Sequence, residues 1–239
     1  MRQFIIAGLK TEYSIRCELL KKRSEKYEAE FESSEADIKI NVSDDFLKAK
    51  QEQYSNLTWE EVEYMCTGAA FYNKIINHNG VMLHSSCVEK DGFAYLFSAR
   101  SGTGKSTHTH LWLKNLSGTR IINDDKPALV LENGVWYACG TPFSGKTDEN
   151  LNVKVPVRAI VFVKRGVDNK VEKMPVAKAV GLLMEQTIKP VDRETAEKML
   201  ELIDNLLTSV PVFSLECNMD DDAAITSYTG IERILKNED

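Results

Sequence analysis

Phe93-Ala94-Tyr95-Leu96-Phe97-Ser98-Ala99-Arg100-Ser101-Gly102-Thr103-Gly104-Lys105-Ser106-Thr107-His108-Thr109-His110-Leu111-Trp112-Leu113 joins an apolar run, a glycine-bearing turn and a helix-like continuation. Phe93 to Phe97 is apolar throughout, the pattern of a strand buried on both faces. Ser101-Gly102-Thr103-Gly104 supplies backbone freedom for a tight turn, and Lys105-Ser106-Thr107 opens the helix. A helix start aims unpaired N–H groups and the positive end of its dipole at an anion. Lys105 adds a full charge, and the Ser106 hydroxyl can ligate Mg²⁺. These parts describe a nucleoside triphosphate site in which Arg100, Ser101, Gly102, Thr103, Gly104, Lys105, Ser106 and Thr107 hold the phosphates.

The usual pattern G-x-x-x-x-G-K-[ST] asks for glycine where this chain has Ala99, whereas Gly140-Thr141-Pro142-Phe143-Ser144-Gly145-Lys146-Thr147 fits it letter for letter. Beyond Lys146 the chain runs through a polar stretch into Val155-Pro156, with no helix pattern. Without a helix the dipole and the fan of N–H groups are missing, so context favours the imperfect match at Lys105.

At 239 residues and 43% hydrophobic content, the chain can bury a full core. A formal charge of −6 without a basic run argues against nucleic acid or an anionic membrane as partner. Five scattered cysteines, none in C-x-x-C spacing, suggest neither a disulfide framework nor a zinc site. With no signal-peptide core and no membrane-length apolar run, the expected location is cytoplasmic.

Before the loop, the sequence predicts strands at Gln3–Leu9, around Tyr27–Phe31 and at Ile38–Val42. A polar, helix-compatible stretch from Ser43 to Ser55 comes next, then a capping box at Thr58-Trp59-Glu60-Glu61 opening an amphipathic helix. Val81–Val88 reads as one strand turning through Glu89-Lys90-Asp91-Gly92 into the loop strand, as an antiparallel neighbour. After the loop helix, Thr119–Asn123 forms a strand ending in Asp124-Asp125, the way nucleotide sites present carboxylates to Mg²⁺. Glu132-Asn133-Gly134 signals a hairpin, Arg158–Val163 a buried strand, Pro175–Ile188 and Val191–Leu207 two helices, Val210–Leu215 a strand and Asp221–Leu235 a closing helix.

Leu83-His84-Ser85-Ser86, the loop, and Ile122-Asn123-Asp124-Asp125, in that order, resemble the superfamily shared by HPr kinase/phosphorylase and phosphoenolpyruvate carboxykinase. The likeness runs over roughly residues 80–165. It implies an α/β fold, a P-loop-containing mixed sheet flanked by helices, over residues 58–239, with residues 1–57 as a small α+β extension. In the carboxykinases a histidine at the His84 position and the second aspartate, here Asp125, bind a transition metal; in the HPr kinases the histidine and the first aspartate belong to the catalytic apparatus. These 239 residues are too few for a carboxykinase with its separate substrate domain, and no stretch reads as an HPr kinase amino-terminal domain, so phosphoryl transfer is the expectation carried over. Small HPr-kinase-like proteins, some of which are thought to phosphorylate peptide serines, are the nearer likeness.

The expected function is that of an ATP-dependent kinase, with ATP or another nucleoside triphosphate as donor, Mg²⁺ as the metal and Mn²⁺ as a second choice. The acceptor is a hydroxyl on a small molecule or a peptide serine, and a homo-oligomer stays open. Ser106 and Asp125 are assigned to the metal, Asp124 to the acceptor proton and His84 to orienting Asp124. Lys146, Arg158 and Arg100 are candidates to reach the transferring phosphate. A nucleotide-sensing module without turnover and a reduced carboxykinase are the alternatives. His108 and His110, two apart on a helix, point to different sides, so a solvated face is expected for them rather than a joint metal site.

Overall fold

The computed structural model describes residues 1–237. Its centre is a nine-stranded mixed sheet flanked by helices. The strands are β4 (Gly80–Met82), β5 (Ser85–Lys90), β6 (Phe93–Ser98), β7 (Arg120–Asn123), β8 (Ala128–Glu132), β9 (Val135–Cys139), β10 (Lys154–Arg165), β11 (Lys170–Lys173) and β12 (Val212–Cys217). Along the main path the order is β4-β8-β9-β10-β6-β5-β7, and β12 pairs with both β10 and β11. β10 is the hub. Its first residues pair antiparallel with β9, and the remainder runs parallel to β6 and to β12. Parallel strands buried on both faces need unbroken apolar sequence, which Ala94–Phe97 and Ala159–Val163 supply.

A separate three-stranded sheet is built from β1 (Arg2–Ile6), β2 (Leu9–Tyr13) and β3 (Ile38–Ile40). The expected single strand at Gln3–Leu9 is a hairpin, because Ala7 and Gly8 both take positive φ and reverse the chain. The strand expected around Tyr27–Phe31 is reduced to an isolated bridge from Glu28 to Phe4; α1 (Glu18–Ser24) and a short 3₁₀ turn to Tyr27 precede it, with Leu20 and Tyr27 buried. α2 (Asp44–Gln53) precedes α3 (Trp59–Ile75), which opens with the Thr58/Glu61 capping box. α3 carries a fully buried Glu63, whose carboxylate accepts the backbone N–H groups of Arg16 and Cys17 and so ties α3 to the start of α1.

One hydrophobic cluster runs from Phe4, Ile6 and Tyr13 of the small sheet through Phe71 and Tyr72 of α3 to Val130, Cys139 and Phe143. α5 (Val176–Glu185) and α6 (Arg193–Ser209) cover one part of the large sheet; α4 (Lys105–Asn115) and α7 (Asp222–Lys236) pack together at another. Among the described residues, no helix is long and apolar enough to cross a membrane.

The expected strand Val81–Val88 is broken. β4 leaves to pair with β8, β5 pairs with β6 and β7, and Leu83-His84 bridges the two. This break puts His84 at a strand junction beside the end of β7 rather than inside a regular ladder.

Candidate functional site

β6 delivers the chain into the turn 99–104, and α4 begins at Lys105. Gly104 precedes the helix at φ +120°, a conformation that L side chains rarely adopt. Ala99 lies outside the positive-φ set, so glycine is not required where the usual pattern asks for it. Lys105 is buried, and its Nζ donates to the carbonyl of Ala99 at 3.1 Å. Burial lowers its pKa, opposed by the charges of Asp125 and Asp124, so both acids act on this ammonium. Arg165, at the end of β10, donates to the carbonyls of Gly102 at 2.5 Å and Thr103 at 3.1 Å. Tying down these carbonyls steadies the turn from the neighbouring strand.

The acidic pair follows β7 in a turn fixed by Asn123, whose side-chain oxygen accepts from the backbone of Asp125 at 3.0 Å and Lys126 at 2.7 Å. The two carboxylates then diverge. Asp124 accepts from Ser106 Oγ at 3.1 Å, Thr147 Oγ1 at 3.0 Å and Ser86 Oγ at 2.8 Å. Asp125 Oδ1 lies 3.2 Å from His84 Nε2, and Asp125 Oδ2 meets Lys126 Nζ. Burial raises the Asp125 pKa, but the hydrogen bond from His84 and the Lys126 charge outweigh it and hold the carboxyl down at about 2. His84 is itself held twice by Gln186: its N–H donates to the Gln186 carbonyl at 2.8 Å, and Nδ1 lies 2.9 Å from Gln186 Oε1.

The sequence expectation joined Ser106 with Asp125 and His84 with Asp124. The structure joins Ser106 with Asp124 and His84 with Asp125. Two consecutive residues leaving a strand face opposite ways, so a pattern of types alone does not say which one turns toward α4.

Lys146 is exposed, on a loop with no helix after it, between Gly145 and Thr147. That loop is pressed onto the acidic pair: Gly145 has φ +72°, and a Cβ built there would lie 2.8 Å from Asp125 Cβ. Arg23 donates to the Gly145 carbonyl at 2.6 Å and Tyr27 to Asn150 Oδ1 at 2.8 Å, so α1 and the turn after it hold the loop down. Arg158 is not brought to the site. It sits on β10 beside the start of β6, near Phe93, in a bidentate pair with Glu232 at the end of the sheet away from the turn. Arg100 is exposed, 3.6 Å from Glu185. Ser101 and Gly102 are exposed and Thr107 faces outward on the first turn of α4.

Sequence reasoning missed Ser86, Lys126, Glu149, Arg165 and Gln186. Glu149 reaches His110 at 3.2 Å through Oε1, its backbone carbonyl accepts from Asp124 N–H at 3.1 Å, and its buried Oε2 has no hydrogen-bond partner among the described residues. Lys126 and Ser86 adjoin residues already singled out and were within reach of a neighbour argument. Gln186 and Arg165 are distant in sequence and carry no motif. His108 does not lie on the expected solvated face: at the point where α4 packs on α7 it is buried against Ser227, Trp112 and Cys217, a core histidine whose pKa burial lowers to about 4.

The oxygen donors around Ser106 are of the kind that suits a hard cation: a hydroxyl and a buried carboxylate share one hydrogen bond at the helix start.

No family model matches the chain, and no curated protein matches it. Among solved structures, the Hpr(Ser) kinase/phosphatase from Coxiella burnetii is similar at 11% identity with a TM-score of 0.39, over 66% of this chain and 99% of that one. This is a distant likeness.

Proposed function

We propose that this chain is an ATP-dependent phosphotransferase that moves the γ-phosphoryl group to an alcohol. The observation that carries the reading is the split of the acidic pair: Asp124 on the helix-start serine, Asp125 on a histidine, both acting on Lys105. A phosphate-binding turn alone would suit any anion. A second carboxylate held beside it by an oriented imidazole suits an acceptor proton.

In this reading the N–H groups at the start of α4 and Lys105 hold the phosphates, with Lys105 leaving the Ala99 carbonyl for them. Ser106 and Asp124 would hold Mg²⁺, which supplies positive charge against the phosphate oxygens. Glu149, whose backbone carbonyl accepts from the Asp124 N–H, would take a water of that ion. The alcohol oxygen forms a bond to the γ-phosphorus as the bond to the β,γ-bridging oxygen breaks. Asp125 takes the alcohol's proton, and the nucleoside diphosphate leaves with the electron pair. His84, fixed by Gln186, orients Asp125.

The experiment is incubation with γ-labelled ATP and a cell extract. A labelled, acid-stable product that disappears with Lys105→Ala is expected. ATP binding with neither hydrolysis nor transfer would instead favour a nucleotide-sensing module, and phosphoenolpyruvate formed from oxaloacetate would favour a carboxykinase.

A further inference from the structure

Beside the His84–Asp125 pair lies a cavity of about 200 Å³ that the chemistry above does not use. One wall is the face of α3 from Tyr64 to Tyr72, and the others are Met82, Lys126, Phe143 and Ile188. Each of these four is a close chain neighbour of a residue that builds the pair. Lys126 follows Asp125, Met82 comes two before His84, Ile188 two after Gln186, and Phe143 two before Gly145. The segments are also locked to one another: Thr187 donates to the Met82 carbonyl at 2.7 Å, and the Tyr72 hydroxyl donates to the Lys126 carbonyl. Hydrogen bonds thus tie the segments that build the pair to those that line the cavity.

We infer that this cavity receives a ring-sized apolar group carried by the acceptor alcohol, whose hydroxyl then meets Asp125. This rests on the phosphotransfer reading for the role of the hydroxyl, but not for the binding of the apolar group. The lining is aromatic and aliphatic apart from Lys126, whose ammonium is turned to Asp125, so a polar acceptor would find few partners there. Size fixes the class. An apolar cavity of about 150 Å³ in another protein stays dry and takes benzene, so this one has room for a phenyl or branched alkyl group but not for a fused polycycle. Ala69, on the cavity's α3 wall, is exposed and leaves a way in.

Benzyl alcohol is the probe, because it joins one ring to one hydroxyl. The chain has seven methionines, and Met65 and Met82 both line the cavity. With ¹³C-methyl methionine, signals assigned through Met65→Leu and Met82→Leu should shift saturably on adding benzyl alcohol without nucleotide, while exposed Met219 stays still. Glycerol should move neither. Ala69→Phe should weaken the titration at least tenfold, and Ile188→Ala, which widens the cavity, should admit 2-naphthylmethanol. Shifts absent from Met65 and Met82, equal at Met219, or unchanged in both variants would overturn the inference. Saturable shifts with no labelled product from any alcohol would keep the cavity assignment and sink phosphotransfer. Transfer to extract acceptors with silent methyls would do the reverse.

Discussion

Asp124 and Asp125 are consecutive, yet one carboxylate accepts from Ser106 at the helix start and the other lies against His84. Their substitutions should therefore fail differently. Asp124→Asn should weaken Mg·ATP binding by about tenfold or more while leaving nucleotide binding without metal nearly intact. Asp125→Asn should keep Mg·ATP affinity within about twofold and cut transfer by roughly 10²–10⁴, the usual weight of a positioned base. Calorimetry beside single-turnover kinetics separates the two, and loss of metal-dependent affinity in Asp125→Asn would reverse the roles.

The two lysines of the competing loops give a second comparison. Lys105→Ala should abolish measurable nucleotide binding, because it removes the buried ammonium at the start of α4. Lys146→Ala should leave binding measurable, since Lys146 is exposed and no helix follows it. The opposite pattern in titration calorimetry would put the phosphates at residues 140–147.

Gly145→Ala tests the close packing of the loop on Asp125. A left-handed residue gains about 1–2 kcal/mol of strain with a side chain, and here the new Cβ meets Asp125 Cβ at 2.8 Å. Transfer should fall more than tenfold while Mg·ATP binding changes little. An unaltered rate with normal stability would mean that Asp125 need not keep its place.

His108 sets a pH dependence of stability. Burial lowers its pKa from 6.5 to about 4, so between these values the unfolded chain binds a proton that the folded one does not. Its contribution is complete above pH 6.5, declines as the pH drops and levels off below about 4. The shift corresponds to about 3 kcal/mol. In urea unfolding, the stability gap between the wild-type protein and His108→Gln should narrow by about that amount from pH 7 to pH 4. Parallel pH curves would show that His108 protonates as easily folded as unfolded.

Arg165→Ala removes the two hydrogen bonds to the carbonyls of Gly102 and Thr103. Nucleotide affinity should fall about threefold to tenfold, with little change in the transfer rate at saturation. A change confined to that rate would place Arg165 at the reacting group instead.

The loop strand, the helix starting at Lys105, the strand ending in the acidic pair and the Asn133-Gly134 hairpin were legible because each rests on local chemistry: apolar runs, caps and glycine at positive φ. The break between Met82 and Ser85 was not, since β4 and β5 are both apolar and only their different partners separate them. The same limit applies to the site. Residue types pointed to His84, Ser106 and both aspartates, which the fold brings together, but which oxygen faces which donor depends on the turn that Asn123 closes. Arg158 misled because a cation on a core strand looks alike at either end, and the end is set by the parallel pairing of β10 with β6.

Arg23 and Tyr27 carry no chemistry of their own, yet they fasten the segment that presses on the acidic pair. The first thirty or so residues thus behave less as an appendage than as the buckle of a strap. A change at α1 or in the turn after it would be felt at Asp125 through the loop that Gly145 presses on it. Exchanging α1 and its turn for those of another chain would carry the seating of that loop along with the scaffold.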